Sequence, residues 1–183
     1  MEIYKSFGWL SIVVIWTGLL YMIKKWPGNK TMSFSAHAAS TRTGIVYYWL
    51  VFTAHLVLFY LFVSKWFVPT LQLPHVFTII TLVAVLGEFI ALCIPTTGGL
   101  KTKLHDLSSY VMLILLVPLS LLIFLSPHVS LIARTAALLS VCYMVIVWYL
   151  FAVAKTAKKH FLLYQTSYAM SFQLAILLAV YLK

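Results

Sequence analysis

Glu88 stands inside an apolar run (VAVLGEFIALC). There an ionisable side chain is costly and takes a partner or serves a purpose. Thr81, Ala84, Glu88 and Ala91 follow three–four–three spacing, so they share one helical face. That small and polar stripe is expected to point into a helix bundle and not at lipid. His55, in VFTAHLVLF, is the second deep polar group, with Tyr48 on the same side, and Gln173, close to Ser171, is the third. Glu88, His55 and Gln173 come from three apolar stretches at broadly similar depth. A His55–Glu88 contact is open on this reading, and such a pair is suited to taking up and releasing a proton.

A second cluster lies at a rim, in LHDLSSY. His105 and Ser109 are four residues apart and share a face. Asp106 reads as the N-cap or a first-turn acid of the fourth helix. Glu88, His105, Asp106 and Ser109 are expected to converge between the third and fourth helices. Arg42, Lys159, His160, Tyr164 and Gln165 fall at the same end. His105 and Asp106 together suit general acid–base chemistry. Arg134, four residues into the fifth helix, is expected to snorkel outward.

Other chemistries find little footing. Haem ligation between helices needs two deep histidines; only His55 is deep, and His75 and His128 sit at the opposite rim. His37, His105 and His160 share one side, yet no HxxxH or HxxE spacing joins them, so no metal site is expected. No GxSxG, P-loop or kinase signature occurs. A ring of Glu88 carboxylates would arise only in an oligomer. No cofactor is expected.

These residues must be positioned by membrane helices. Of 183 residues, 63% are apolar and 9% charged, with mean hydropathy +1.03. Soluble domains run near half apolar and a quarter charged, and a disordered chain of this composition could not stay solvated. Six stretches meet the length of about 20 apolar residues that a spanning helix needs: Phe7 to Ile23, Gly44 to Val63, Val76 to Ile94, Leu107 to Leu125, Leu131 to Ala154, and Phe161 to Leu182. Runs such as SLLIFL do not alternate as barrel strands do. The first stretch ends in Lys24–Lys25 with no small-residue cleavage pattern, which favours a retained helix over a signal peptide. The expected class is an all-α, polytopic membrane protein, a six-transmembrane-helix bundle in a single domain over residues 1–183.

The net charge of +10 in so apolar a chain points to membrane flanks, not to nucleic acid. Lys24, Lys25, Lys30, Arg42, Lys101, Lys103, Lys155, Lys158 and Lys159 occupy the first, third and fifth loops; Lys5, Lys65, Arg134 and Lys183 lie opposite. By the positive-inside rule the three basic loops are cytoplasmic and both termini are outside, in the plasma membrane.

Loop and packing signals agree. Pro27-Gly28, Pro69, Pro74, Gly98-Gly99 and Ser126-Pro127 punctuate the chain. The long first loop (TMSFSAHAASTRT) has room for a short interfacial helix. Trp9, Trp26, Trp49, Trp66 and Trp148 lie towards helix ends as interface anchors, whereas Trp16 is near mid-helix. Small residues at four-residue spacing (Ser167, Ser171, Ala175, Ala179; Ala133 with Ala137; Ala136 with Ser140; Gly87 with Ala91) mark helix-contact faces. Cys93 and Cys142 read as small buried side chains. Pro118 should free a carbonyl near Ile114, for Ser120 or a neighbouring helix to satisfy. No internal repeat is evident, and broken helices in matching halves, a pointer to transporters, are missing.

The stretch Ile94 to Leu119 (IPTTGGLKTKLHDLSSYVMLILLVPL) resembles an uncharacterised family of six-pass bacterial and archaeal membrane proteins. In that family a Pro-containing loop leads to a His that opens the fourth helix. More distantly it is similar to the DRAM/Frag-type six-pass proteins, which carry a His-Asp pair at a comparable helix start. Pro95, His105 and Asp106 carry the resemblance. It implies the six-span plan and, through the eukaryotic look-alikes, a role around lipids or membrane trafficking; it implies no established activity.

Three functions follow as expectations. The first is a non-enzymatic protein that binds a lipid or small amphipathic ligand in an inward-facing pocket, with Glu88, His55, His105, Asp106, Ser109 and Gln173 as its polar residues. Basic loops around that pocket would suit anionic headgroups. The second is a small proton-coupled transporter using Glu88 and His55. The third is a lipid-modifying enzyme using His105 and Asp106. Membrane lipids are the expected partners, and a homo-oligomer is open.

Overall fold

Inside a bilayer, backbone N–H and C=O groups find no water, so a long apolar stretch satisfies them as a helix. The computed structural model describes residues 2–29, 31–94, 99–154 and 159–182, the side chain of Ala152 excepted. Pro95, Gly98, Lys30, Lys155, Lys158 and Lys183 lie outside the described residues. Helix α1 (Glu2–Lys25) is followed by the short α2 (Phe34–Ala38). Helix α3 (Arg42–Phe62) passes through a π-helical turn (Val63–Phe67) into α4 (Val68–Thr70). Then come α5 (His75–Cys93), α6 (Gly99–Leu125), α7 (Leu131–Ala152) and α8 (Phe161–Tyr181). The described residues are all-α, and six of their helical stretches are long and apolar enough to cross a membrane: α1, α3 with α4, α5, α6, α7 and α8. It is a polytopic membrane protein.

Two expected boundaries move furthest. The second span runs on to Thr70, because the π-helical turn widens the helix without ending it and Pro69 is accepted in the first turn of α4. The loop is thereby shortened to residues 71–74, where Gln72 takes φ 48°. The fourth span begins at Gly99 (φ 61°) and not at Leu107. The polar LKTKLHD segment continues the helix beyond its apolar part, so Asp106 is neither an N-cap nor a first-turn acid, and His105 does not open the helix.

Sequential helices are neighbours. Helix α1 packs on α3, α3 on α5, α5 on α6, α6 on α7 and α7 on α8, while α8 also meets α6 and α1. Close approach replaces the hydrophobic effect as the packing force in lipid. A Cβ on Gly87 would stand 3.0 Å from the Ser108 carbonyl oxygen, so this glycine lets α5 and α6 come together. On the α7–α8 seam Ala133, Ala137 and Ser140 face Ala175 and Ala179 as buried small residues, and Ser140 Oγ donates to Ser171 Oγ at 3.1 Å. Around the π-helical turn Phe62, Phe67 and Phe77 are fully buried.

Other expectations are corrected. Cys93 and Cys142 are exposed, facing outwards; lipid is as apolar as the interior, so a small apolar side chain has no preference for burial there. Trp66 is buried, with the Lys5 ammonium 5.5 Å from its ring, and does not serve as a lipid-facing anchor. Arg134 does not snorkel away. Its Nε donates to the Phe124 carbonyl at 2.8 Å, a cation satisfying the carbonyl end of α6. Near Pro118 the hydroxyl that arrives is that of Tyr168, which donates to the Leu113 carbonyl at 2.7 Å; among the described residues Ser120 Oγ, buried, has no partner.

Candidate functional site

The six residues singled out for chemistry separate into two chambers. Glu88, His55 and Gln173 line an inner chamber of about 110 Å³. His105, Asp106 and Ser109 line a larger vestibule of about 480 Å³. Glu88 therefore does not join the His105 cluster as expected. The chambers are adjacent, since Leu113 and Gln165 belong to the walls of both.

The inner chamber is built by inward stripes of five spanning helices, α1, α3, α5, α6 and α8, with Phe34 of α2. On α5, Thr81, Ala84, Glu88 and Ala91 are all buried, as their spacing required. Thr81 Oγ1 donates back to the Phe77 carbonyl at 2.8 Å. Glu88 is only 6% exposed. Among the described residues, no hydrogen bond or ion pair reaches its carboxylate. His55 on α3 turns to α1: its Nδ1 lies 3.0 Å from the Ser11 carbonyl oxygen and donates to it. A carbonyl only accepts, so Nδ1 carries the proton and Nε2 of the neutral ring is left as an acceptor. The ring stacks on Phe59, with centroids 5.9 Å apart. Gln173 on α8 accepts from Trp16 Nε1 at 2.5 Å, tying α8 to α1 across the bundle. His55 and Glu88 thus share a chamber, but no hydrogen bond joins them.

Trp16 was legible as an outlier. A tryptophan near mid-span has an N–H that lipid cannot satisfy, so its place demanded a partner inside the bundle.

The vestibule owes its floor to α2. Ser33 caps this short helix, its Oγ accepting from Ala36 N at 3.2 Å, while Phe34, His37 and Ala38 are buried beneath. The first loop thus forms the short helix it had room for, and one turn of it is tucked into the bundle. His105, 7% exposed, fastens that turn to α5. Its Nδ1 donates to the carbonyl oxygens of Ala91 and Ile94, both at 2.9 Å, where α5 ends and leaves carbonyls to satisfy. Its Nε2 lies 3.1 Å from Ser35 Oγ, and with Nδ1 protonated the neutral ring accepts there from the serine hydroxyl. Ser35 Oγ is in turn 2.9 Å from Ser33 Oγ. Gln165 Oε1 accepts from Phe34 N at 3.3 Å.

Asp106 is exposed on the vestibule wall, and among the described residues no hydrogen bond joins it to His105. The pair expected to do acid–base chemistry together is thus not coupled, because adjacent residues on a helix point about 100° apart. Tyr110, Trp148, Phe151 and Phe161 give the vestibule apolar walls, with Tyr164 and Tyr168 adding hydroxyls. Trp148 Nε1 donates to Tyr168 Oη at 3.1 Å. Sequence reasoning missed Ser33, Ser35, Trp16 and Tyr168 as site residues. The Ser33–Ser35 signal, two hydroxyls opening a short polar helix, was present in the first loop.

The vestibule has one carboxylate, several hydroxyls and a histidine at its polar side, and rings on the other. Among the described residues lining either chamber there is no Lys or Arg. Comparison with protein-family models, with curated proteins and with solved structures returns no match to this chain. The resemblance carried by Pro95, His105 and Asp106 therefore identifies no family.

Proposed function

We propose that the protein binds an amphipathic molecule, a membrane lipid, in the vestibule. The observation that carries this reading is the vestibule's two-sided lining. Ser33, Ser35, His105, Asp106 and Ser109 offer donors and acceptors on one side, while Tyr110, Trp148, Phe151 and Phe161 offer rings on the other, around about 480 Å³. Ligand pockets have this mixed character and this size. The lining favours a hydroxyl-bearing or zwitterionic headgroup over a purely anionic one, because Asp106 would oppose an anion and, among the described residues, no lining cation would receive it. The basic loops act further out, drawing the protein's rim to anionic lipid at about 1 kcal/mol per nearby cation. Residues from the first loop, the start of α6 and the ends flanking the fifth loop form the vestibule, so by the positive-inside reading it opens to the cytoplasmic leaflet of the plasma membrane, with both termini outside. Mass spectrometry of the protein released from its native membrane is expected to find a bound lipid. Ser109→Trp, which places an indole in the vestibule, is expected to empty it. A wild type that carries nothing, or a Ser109→Trp protein that carries the same lipid, rejects the reading.

A second reading, a small proton-coupled transporter, is favoured by one observation: Leu113 and Gln165 are common to both chambers, so the inner one lies next to a way in. It expects proton-dependent flux in vesicles that Glu88→Gln abolishes; flux unchanged by that substitution rejects it.

A further inference from the structure

We propose that the inner chamber binds a small organic cation of the methylammonium class, with Glu88 as its counter-ion. A carboxyl group that is buried and unpaired is costly to ionise, and a cation beside it is what lets it keep its charge. Glu88, at 6% exposure, is such a group, and it lines a chamber instead of a packed wall. A cation entering that chamber would find in Glu88 a counter-ion that it holds charged.

The lining defines the partner's chemistry. Its one ionisable acid among the described residues is Glu88, and its remaining polar groups are neutral. Glu88 brings two oxygens, and His55 brings Nε2, since Nδ1 is committed to the Ser11 carbonyl. The Trp16 indole N–H is already given to Gln173, which leaves the amide NH₂ groups of Gln173 and Gln165 as the donors still free. An occupant that donates and carries positive charge fits this set; an anion would face the carboxylate. Among the described residues, no lining Lys or Arg competes for Glu88. Trp16, Phe52, Phe59 and Phe172 add aromatic rings to the walls, and rings attract organic cations through their π systems. A bare metal ion is a poor alternative. Hard cations take about six or more oxygen ligands, and Glu88 is the sole carboxylate in the lining. The volume of about 110 Å³ holds several water molecules or a cation of a few heavy atoms, and not a lipid headgroup with its chains. Among the described residues the vestibule next to it presents Asp106 and no Lys or Arg, so that lining does not repel a cation on the way in.

This inference does not rest on lipid binding in the vestibule: either can fail alone. The test is ligand-observed saturation-transfer NMR with methylammonium chloride on the protein in nanodiscs, at constant chloride with sodium chloride as balance. The expected result is saturable transfer that excess tetramethylammonium reduces and sodium does not. Glu88→Gln, which keeps the side chain's shape, is expected to weaken binding about thirty-fold or more, as loss of one member of a buried charge pair does. Phe172→Leu, which thins the wall and leaves the carboxylate, is expected to weaken it about five-fold. If Glu88→Gln does not fold, the wild-type competition and Phe172→Leu decide the matter. No saturable transfer in the wild type overturns the proposal. So does equal displacement by sodium, and so does undiminished binding in a folded Glu88→Gln protein. Loss of lipid in Ser109→Trp with methylammonium binding retained would separate the two chambers experimentally.

Discussion

At one end of the bundle Phe62, Phe67 and Phe77 pack ring to ring, with successive centroids 5.3 and 5.6 Å apart, and all three are fully buried. At the other end Tyr110 and Trp148 stand 5.7 Å apart, Phe151 and Phe161 5.1 Å apart, around about 480 Å³ of open space. Aromatic content does not distinguish these ends. Backbone geometry does. The π-helical turn Val63–Phe67 turns Val63, Trp66 and Phe67 all inward, and Gly8 lets Phe62 lie against α1, where a Cβ would meet its ring at 2.8 Å. At the open end the chain interposes α2, whose Ser33 and Ser35 bring hydroxyls where a packing side chain would otherwise stand. One end is a clamp and the other a receptacle, and the polar residues of the inner chamber lie between them.

Truncation tests that contrast most strongly. Phe77→Ala removes a fully buried ring from the packed end and is expected to cost about 3–5 kcal/mol. Tyr110→Ala removes a ring that is 45% exposed at the vestibule, and is expected to cost under about 1 kcal/mol. Reversible unfolding of both variants in one detergent measures the difference. Similar losses for the two would mean that the vestibule is as firmly packed as the clamp, and the contrast would be lost.

What the sequence made legible follows the same division. Bilayer thickness sets the length of each span, so the six helices could be read from hydropathy alone. Period fixed the inward stripe Thr81, Ala84, Glu88, Ala91, and every member is buried. The start of α6 was not legible, because LKTKLHD is polar and helical at once, and hydropathy reports where lipid begins, not where the helix does. That shift is why Asp106 and His105 changed roles. The Ser35–His105 contact joins residues 70 apart and the Trp16–Gln173 bond joins residues 157 apart; no local rule reaches that far. The outward-facing Cys93 and Cys142 fail for another reason: in lipid, being apolar does not say which way a residue faces.

The bond between Trp16 and Gln173 offers a smaller and sharper test. It links α1 to α8, which otherwise touch over a short length, and so closes the bundle around the inner chamber. Interhelical hydrogen bonds in membranes average about 0.6 kcal/mol and reach about 1.7. Gln173→Leu is expected at the upper part of that range, because it also strands the indole N–H away from water. A double-mutant cycle with Trp16→Phe isolates the bond, since the phenylalanine has no N–H to strand. Coupling near 1 kcal/mol, with α1 and α8 spreading apart in Gln173→Leu as read by distance labels on the two helices, is the expected outcome. Coupling indistinguishable from zero would mean that the helices are held by packing alone, and that the middle of the bundle behaves like the clamp.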